Sequence, residues 1–156
     1  MLQVLRETIE PVPPTDLATT TGVSVYLSDA VWVDAKVGWG NVARNRTWFD
    51  EKIQNGVLLM LAGQFFDKGL YAHSPSRYRF ELGKKWQSFR ATVGLRDGAR
   101  GSAFFTVRGD GRELFRSPVL KAGARADVAV KVDGVRELEL VAEGGGGNTG
   151  SSWAIW

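Results

Sequence analysis

Along most of the chain, apolar and polar residues alternate with a period of two. Tyr78, Phe80 and Leu82 alternate in YRFEL, and Phe89, Ala91, Val93 and Leu95 in FRATVGL. The pattern recurs at Ala103, Phe105 and Val107, at Val128, Val130 and Val132, and at Leu138, Leu140 and Ala142. An earlier set, Val23, Val25 and Leu27, has the same spacing. Successive side chains of a strand point to opposite faces, so each set predicts a strand with one buried face, as in antiparallel sheets. Between the sets lie Asn55-Gly56, Ala62-Gly63, Asp97-Gly98, Asp110-Gly111 and Asp133-Gly134, all turn signals of hairpin grade. The best helical candidate is 45–54, where Trp48, Ile53 and the charges make one or two turns. Short strands at this spacing, with glycine turns, predict an all-β fold: a two-sheet antiparallel β-sandwich of the jelly-roll type.

Both ends of the chain depart from this pattern. Residues 1–21 hold three of the five prolines and end in Thr19-Thr20-Thr21, which reads as an extended linker or arm that buries little. The folded domain is then 22–156. Gly144 to Gly147, followed by Asn148-Thr149-Gly150-Ser151-Ser152, reads as a long loop. The WAIW after it is short for a strand, so the last strand reads as truncated.

Composition narrows the chemistry. At 156 residues and 44% hydrophobic content, the chain suits one domain with its own core. It has no cysteine, which removes disulfides and thiolate sites, and one histidine, His73, which removes multi-His metal centres. The formal net charge is +3, and the 13 arginines and 7 lysines are scattered with no basic block. Neither a nucleic acid nor a membrane surface is therefore expected as a partner. The longest apolar run, Val57 to Ala62, is strand-sized and far short of the ~20 residues of a membrane span. The first residues carry acids and prolines where a signal peptide would be apolar, so the chain reads as cytosolic or as part of a longer exported protein.

His73 is the sole candidate base for a hydrolytic triad, and no G-x-S-x-G elbow accompanies it. Acids fall at turns (Asp97, Asp110, Asp133) or alternate with apolar residues (Glu81, Glu137, Glu139), where solvation is the ordinary role. Catalysis is therefore not expected. The six tryptophans say more. Trp32 and Trp86 read as core, whereas Trp39, between Gly38 and Gly40, and Trp153, after the glycine-rich loop, stand equally well as core residues or as rings on binding loops. An indole on a rigid loop can stack on the C–H face of a sugar with little loss of conformational freedom. A neutral imidazole at His73 offers one donor and one acceptor, which suits either backbone groups beside Pro75 or adjacent sugar hydroxyls.

Three stretches, YLSDAVWVDAKVGWGNVARN (26–45), LAGQFFDKGLYAHSPSRYRFELGKKWQSFRATVGLRD (61–97) and GSAFFTVRGDGRELFRSPVL (101–120), carry a resemblance to the NPCBM family of carbohydrate-binding modules. The matching motifs are Leu27-Ser28-Asp29, Gly38-Trp39-Gly40, KGLYAHSPS (68–76) and the VRGDG turn with its following ELF and Ser117. The resemblance extends from about Val23 to Trp156. It implies a galactose-binding-like β-sandwich that recognises a glycan or polysaccharide, galactose-type sugars above all, without catalysis. It also implies covalently attached domains in a longer protein and an extracellular or periplasmic location. Carried over residue by residue, the ligand-binding set is Trp39, His73, Asn148 and Trp153, with Arg46 as a cation for sugar hydroxyls. Many members end in an Asp-His-Ala-Asp-Trp-like sequence, where this chain reads Ser151 to Trp156, with Trp153 near the histidine position. Related sandwiches hold a structural calcium, for which Asp29 and Asp97 are the conceivable oxygen ligands. The competing expectation is a structural or protein-docking sandwich whose sugar site has degenerated.

Overall fold

A computed structural model describes residues 13–22, 24–47, 58–146 and 152–156. Eleven strands are described: β1 (Asp34–Lys36), β2 (Leu59–Leu61), β3 (Gln64–Phe66), β4 (Ser76–Glu81), β5 (Ser88–Leu95), β6 (Ser102–Gly109), β7 (Arg112–Arg116), β8 (Leu120–Lys121), β9 (Arg125–Lys131), β10 (Glu137–Gly144) and β11 (Ala154–Ile155). The described helix is a single 3-10 turn, Leu27–Asp29. One sheet runs β1-β4-β10-β6-β7, with β8 also on β6; a second runs β11-β5-β9, and β2-β3 is a separate hairpin. Each neighbouring pair of these strands is antiparallel, so the expected all-β sandwich is present.

The period of two does the work expected of it. Tyr78 on β4 lies opposite Leu140 on β10, which lies opposite Val107 on β6, and all three are buried. They meet Val93, Leu95 and Val128 of the smaller sheet in one core. One residue over, the other face reads Asp34, Arg79, Glu139, Arg108, Glu113 across five strands. Arg79 pairs with Glu137, and Arg108 with Glu139 at 2.9 Å, on this solvated face. Such exposed pairs add little stability, but they keep the strands in register, because a one-residue slip would bury the charges.

Two of the turn signals close hairpins. Ala62 and Gly63 join β2 to β3, and Asp110 and Gly111 join β6 to β7, each pair with positive φ at both residues. Asp97-Gly98 and Asp133-Gly134 instead turn the chain between strands of different sheets. Asn55-Gly56 and residues 48–54 of the helical candidate lie outside the described residues; Arg44 makes a bridge to Leu70, and Asn45 has φ 59°, not a helical value. Val25 and Leu27 form no strand. They pack against the core around the 3-10 turn.

Residues 13–20, expected in an arm that buries little, are docked. Thr15 N–H donates to the Asp29 carbonyl and Val31 N–H to the Thr15 carbonyl. Leu17 is buried in the core, and its carbonyl accepts the Trp86 indole N–H at 3.1 Å. The buried Leu17 and the parallel bridge from Thr15 to Ala30 hold this segment down. At the other end, Ala154 and Ile155 pair with β5, and Trp156 is buried with its ring edge-on to Phe105 at 5.2 Å.

Candidate functional site

Three segments far apart in sequence converge at one end of the sandwich, and the backbone explains how. Gly38 N–H donates to the His73 carbonyl at 2.9 Å. A Cβ at Gly38 would lie 2.5 Å from the Ser74 carbonyl oxygen, so only glycine lets the 38–40 loop lie this close to 73–75. On the other side, Ala72 N–H donates to the Ala154 carbonyl and Ser74 N–H to the Ser152 carbonyl. The His73 segment is therefore flanked by the Trp39 loop and by the segment that carries Trp153.

The side chains follow. The Trp39 ring centroid is 6.0 Å from His73 and 6.3 Å from Trp153, with the two indoles inclined by only 22°. Trp39 is 45% exposed, the open member of the cluster. The Tyr71 hydroxyl donates to the Trp39 carbonyl at 3.1 Å, and the Tyr71 carbonyl in turn accepts the buried Tyr78 hydroxyl. Burial pushes both phenols far above their ordinary pKa, so they serve here as fixed neutral donors. Behind Trp153, the Arg96 guanidinium lies over the indole at 4.2 Å from its centroid.

His73 is buried, with Nδ1 3.0 Å from the Ser74 carbonyl oxygen. A carbonyl only accepts, so Nδ1 carries the hydrogen and Nε2 presents a lone pair. Nε2 is buried with no partner. Desolvation holds the imidazole pKa below its ordinary value, against the smaller opposing pull of the Ser74 carbonyl, which keeps the ring neutral. A buried acceptor of this kind calls for an O–H or N–H donor.

Of the five expected site residues, three are brought together: Trp39, His73 and Trp153. Arg46 is exposed. The 43–45 segment pairs antiparallel with 69–71, with Tyr71 N–H donating to the Ala43 carbonyl and Asn45 N–H to the Gly69 carbonyl, and Arg46 follows this pairing after Asn45, whose φ is 59°. Asn148 lies outside the described residues. Tyr71 and Arg96 were not singled out from sequence. Tyr71 sits inside the KGLYAHSPS motif, so that signal was present, but Arg96 follows an apolar alternation as an ordinary strand-end charge.

The calcium expectation does not fit these carboxylates. Both oxygens of Asp29 are taken by the Lys68 ammonium at 2.8 and 2.7 Å, and those of Asp97 by the Ala62 and Gly63 amides at 2.8 Å each. Among the described residues, no three His, Asp or Glu side chains gather, although calcium also accepts backbone carbonyl oxygens. An apolar groove of about 570 Å³, walled by Val25, Phe89, Val128, Leu140 and Trp156, lies elsewhere and includes none of Trp39, His73 and Trp153.

The chain is similar to several known proteins. A protein of Renibacterium salmoninarum named "Putative endo-alpha-N-acetylgalactosaminidase" is 32% identical over 164 residues, covering 97% of this chain and 11% of that protein. The CBM51 module of Clostridium perfringens GH95, solved in complex with methyl-galactose, superposes with a TM-score of 0.74 at 26% identity, covering 84% of this chain and 94% of the other. CBM51-2 with INT domains of C. perfringens ZmpB, solved with GlcNAc, gives 0.72 at 25% identity over 84% and 29%. The same protein's M60 catalytic domain, solved with CBM51-1 and CBM51-2, gives 0.72 at 31% over 84% and 14%. The chain thus spans about a tenth of the curated relative it matches, and related modules occur joined to catalytic domains. The NPCBM/NEW2 domain family model matches residues 23–156, and with the sandwich and the clustered motif residues in place, the chain belongs to that family.

Proposed function

We propose that this domain is a non-catalytic module that binds a galactose-type sugar on the exposed Trp39 ring. In this reading the Trp39 ring shifts to admit the sugar, and a hydroxyl of the sugar then donates to His73 Nε2, which is buried in the unbound domain. The observation that carries it is the buried imidazole acceptor without a partner, set 6.0 Å from a half-open indole. The galactose preference is supported by the methyl-galactose held by the GH95 module; the GlcNAc held by the ZmpB module makes amino sugars the next class to compare. Attachment to a larger exported glycan-acting protein is part of the same proposal, supported by the 11% of the relative's length that the domain spans.

Calorimetric titration with methyl-galactoside, N-acetylgalactosamine and GlcNAc tests the reading. A shallow site of this kind is expected to bind in the millimolar to micromolar range, about 4 to 8 kcal/mol. Trp39→Ala and His73→Ala should each weaken binding at least about tenfold, with Trp39→Ala leaving the thermal transition nearly in place. Absence of heat with every sugar would remove the proposal.

A second reading, a protein-docking sandwich, has one observation in its favour. Met60 and Phe65 face each other across the β2-β3 hairpin and are both exposed, at 38% and 48%. Loss of partner binding in Met60→Ser with Phe65→Ser, alongside no measurable sugar affinity, would favour it.

A further inference from the structure

We infer that Arg96 is a positioning residue for the sugar site: it fixes the Trp153 ring, and through that ring the two-indole wall formed with Trp39. The inference rests on the sugar-binding reading of this end of the sandwich. Arg96 holds Trp153 twice. Its backbone N–H donates to the Trp153 carbonyl at 2.8 Å, and its guanidinium covers the Trp153 indole at 4.2 Å. One hold sets the backbone and the other sets the ring.

The stacking is not a by-product of an ion pair. Nε donates to the Asp97 carbonyl at 3.2 Å, which orients the guanidinium plane, while Nη1 is buried with no hydrogen-bond partner. Among the described residues, Arg96 forms no salt bridge; the neighbouring Asp97 carboxylate is occupied by the Ala62 and Gly63 amides. The aromatic face is thus a direct contact of the cation, which also interacts electrostatically with Tyr71 and Asp97. A guanidinium in a partly desolvated site gains most from such a face, because water no longer competes for its charge. Its planar shape lies flat on an indole, which a lysine ammonium cannot do.

Position matters here because Trp153 follows the glycine-rich stretch and immediately precedes β11. The Trp153 ring packs against the hydrophobic core, and the guanidinium adds a second hold. With Arg96 in place, Trp153 lies nearly parallel to Trp39, so the ring that meets the sugar has a fixed neighbour and pays little ordering entropy on binding.

Circular dichroism of the paired indoles and sugar titration, run on the same variants, test this. Arg96→Gln should reduce the tryptophan exciton couplet to the level of Trp153→Phe and weaken galactoside binding about tenfold. Arg96→Lys should restore part of both, and it serves as the measured variant if Arg96→Gln fails to fold. An unchanged couplet in the folded Arg96 variants, with the couplet lost in Trp153→Phe, overturns the inference. If the couplet falls but no sugar binds even the unaltered protein, the sugar reading fails and the positioning role stands.

Discussion

His73 shows how one buried side chain sets a pH profile. Its folded pKa lies below the ordinary value of about 6.5 because burial penalises the imidazolium. The unfolded chain therefore takes up the proton first. Stability from this group is complete above about pH 6.5 and declines as pH falls below it. Binding through the Nε2 lone pair should persist to lower pH than stability does, because it is lost only when the folded protein itself protonates. Calorimetric affinity measured from pH 8 to 5 should stay level through 6.5 and fall below it; a midpoint at or above 6.5 would contradict the buried neutral ring. The chemistry of His73 could be read from its residue type, but its tautomer could not. The tautomer came from the Ser74 carbonyl, which the fold set beside Nδ1.

Among the elements, the β6-β7 hairpin shows where local sequence was sufficient. Asp110 and Gly111 adopt φ 48° and 80°, the paired positive values that match the twist of two antiparallel strands. The Asp110 carboxylate also accepts the backbone N–H groups of Arg136 and Glu137, and these bonds hold its pKa below the ordinary range. Gly111→Ala should cost about 1 kcal/mol in denaturant unfolding, since alanine meets no steric contact there but must adopt the left-handed conformation. Asp97-Gly98 carries the same sequence signal, yet it turns the chain from one sheet to the other. A turn dipeptide says that the chain reverses, not which strand it reverses onto. Val25 and Leu27 had strand spacing and formed none, because the residues around them pair with Thr15 and close a 3-10 turn instead.

On the scale of the whole molecule, the core is where periodicity and packing agree. Leu140 sits between Tyr78 and Val107 in the middle of the larger sheet and is 1% exposed. Leu140→Ala should destabilise the domain by about 2 to 5 kcal/mol, from lost transfer energy and the cavity left behind. Thermal or denaturant unfolding measures this, and a loss under about 1 kcal/mol would mean that the two sheets close over the gap.

By itself the sequence determined which residues face inward, that the chain forms antiparallel sheets, and that its tryptophans and single histidine were the groups to examine. Those properties follow from side-chain period and residue chemistry, both of which are local. Tertiary structure decided which candidates meet. It set Trp39, His73 and Trp153 together through backbone pairing of 38 with 73 and of 72–74 with 152–154, and put the Arg96 guanidinium over the Trp153 ring. Such contacts join residues more than 30 positions apart, and no local pattern of polarity encodes them: a strand's period says which face a side chain takes, while its neighbours depend on how distant strands are ordered in the sheet.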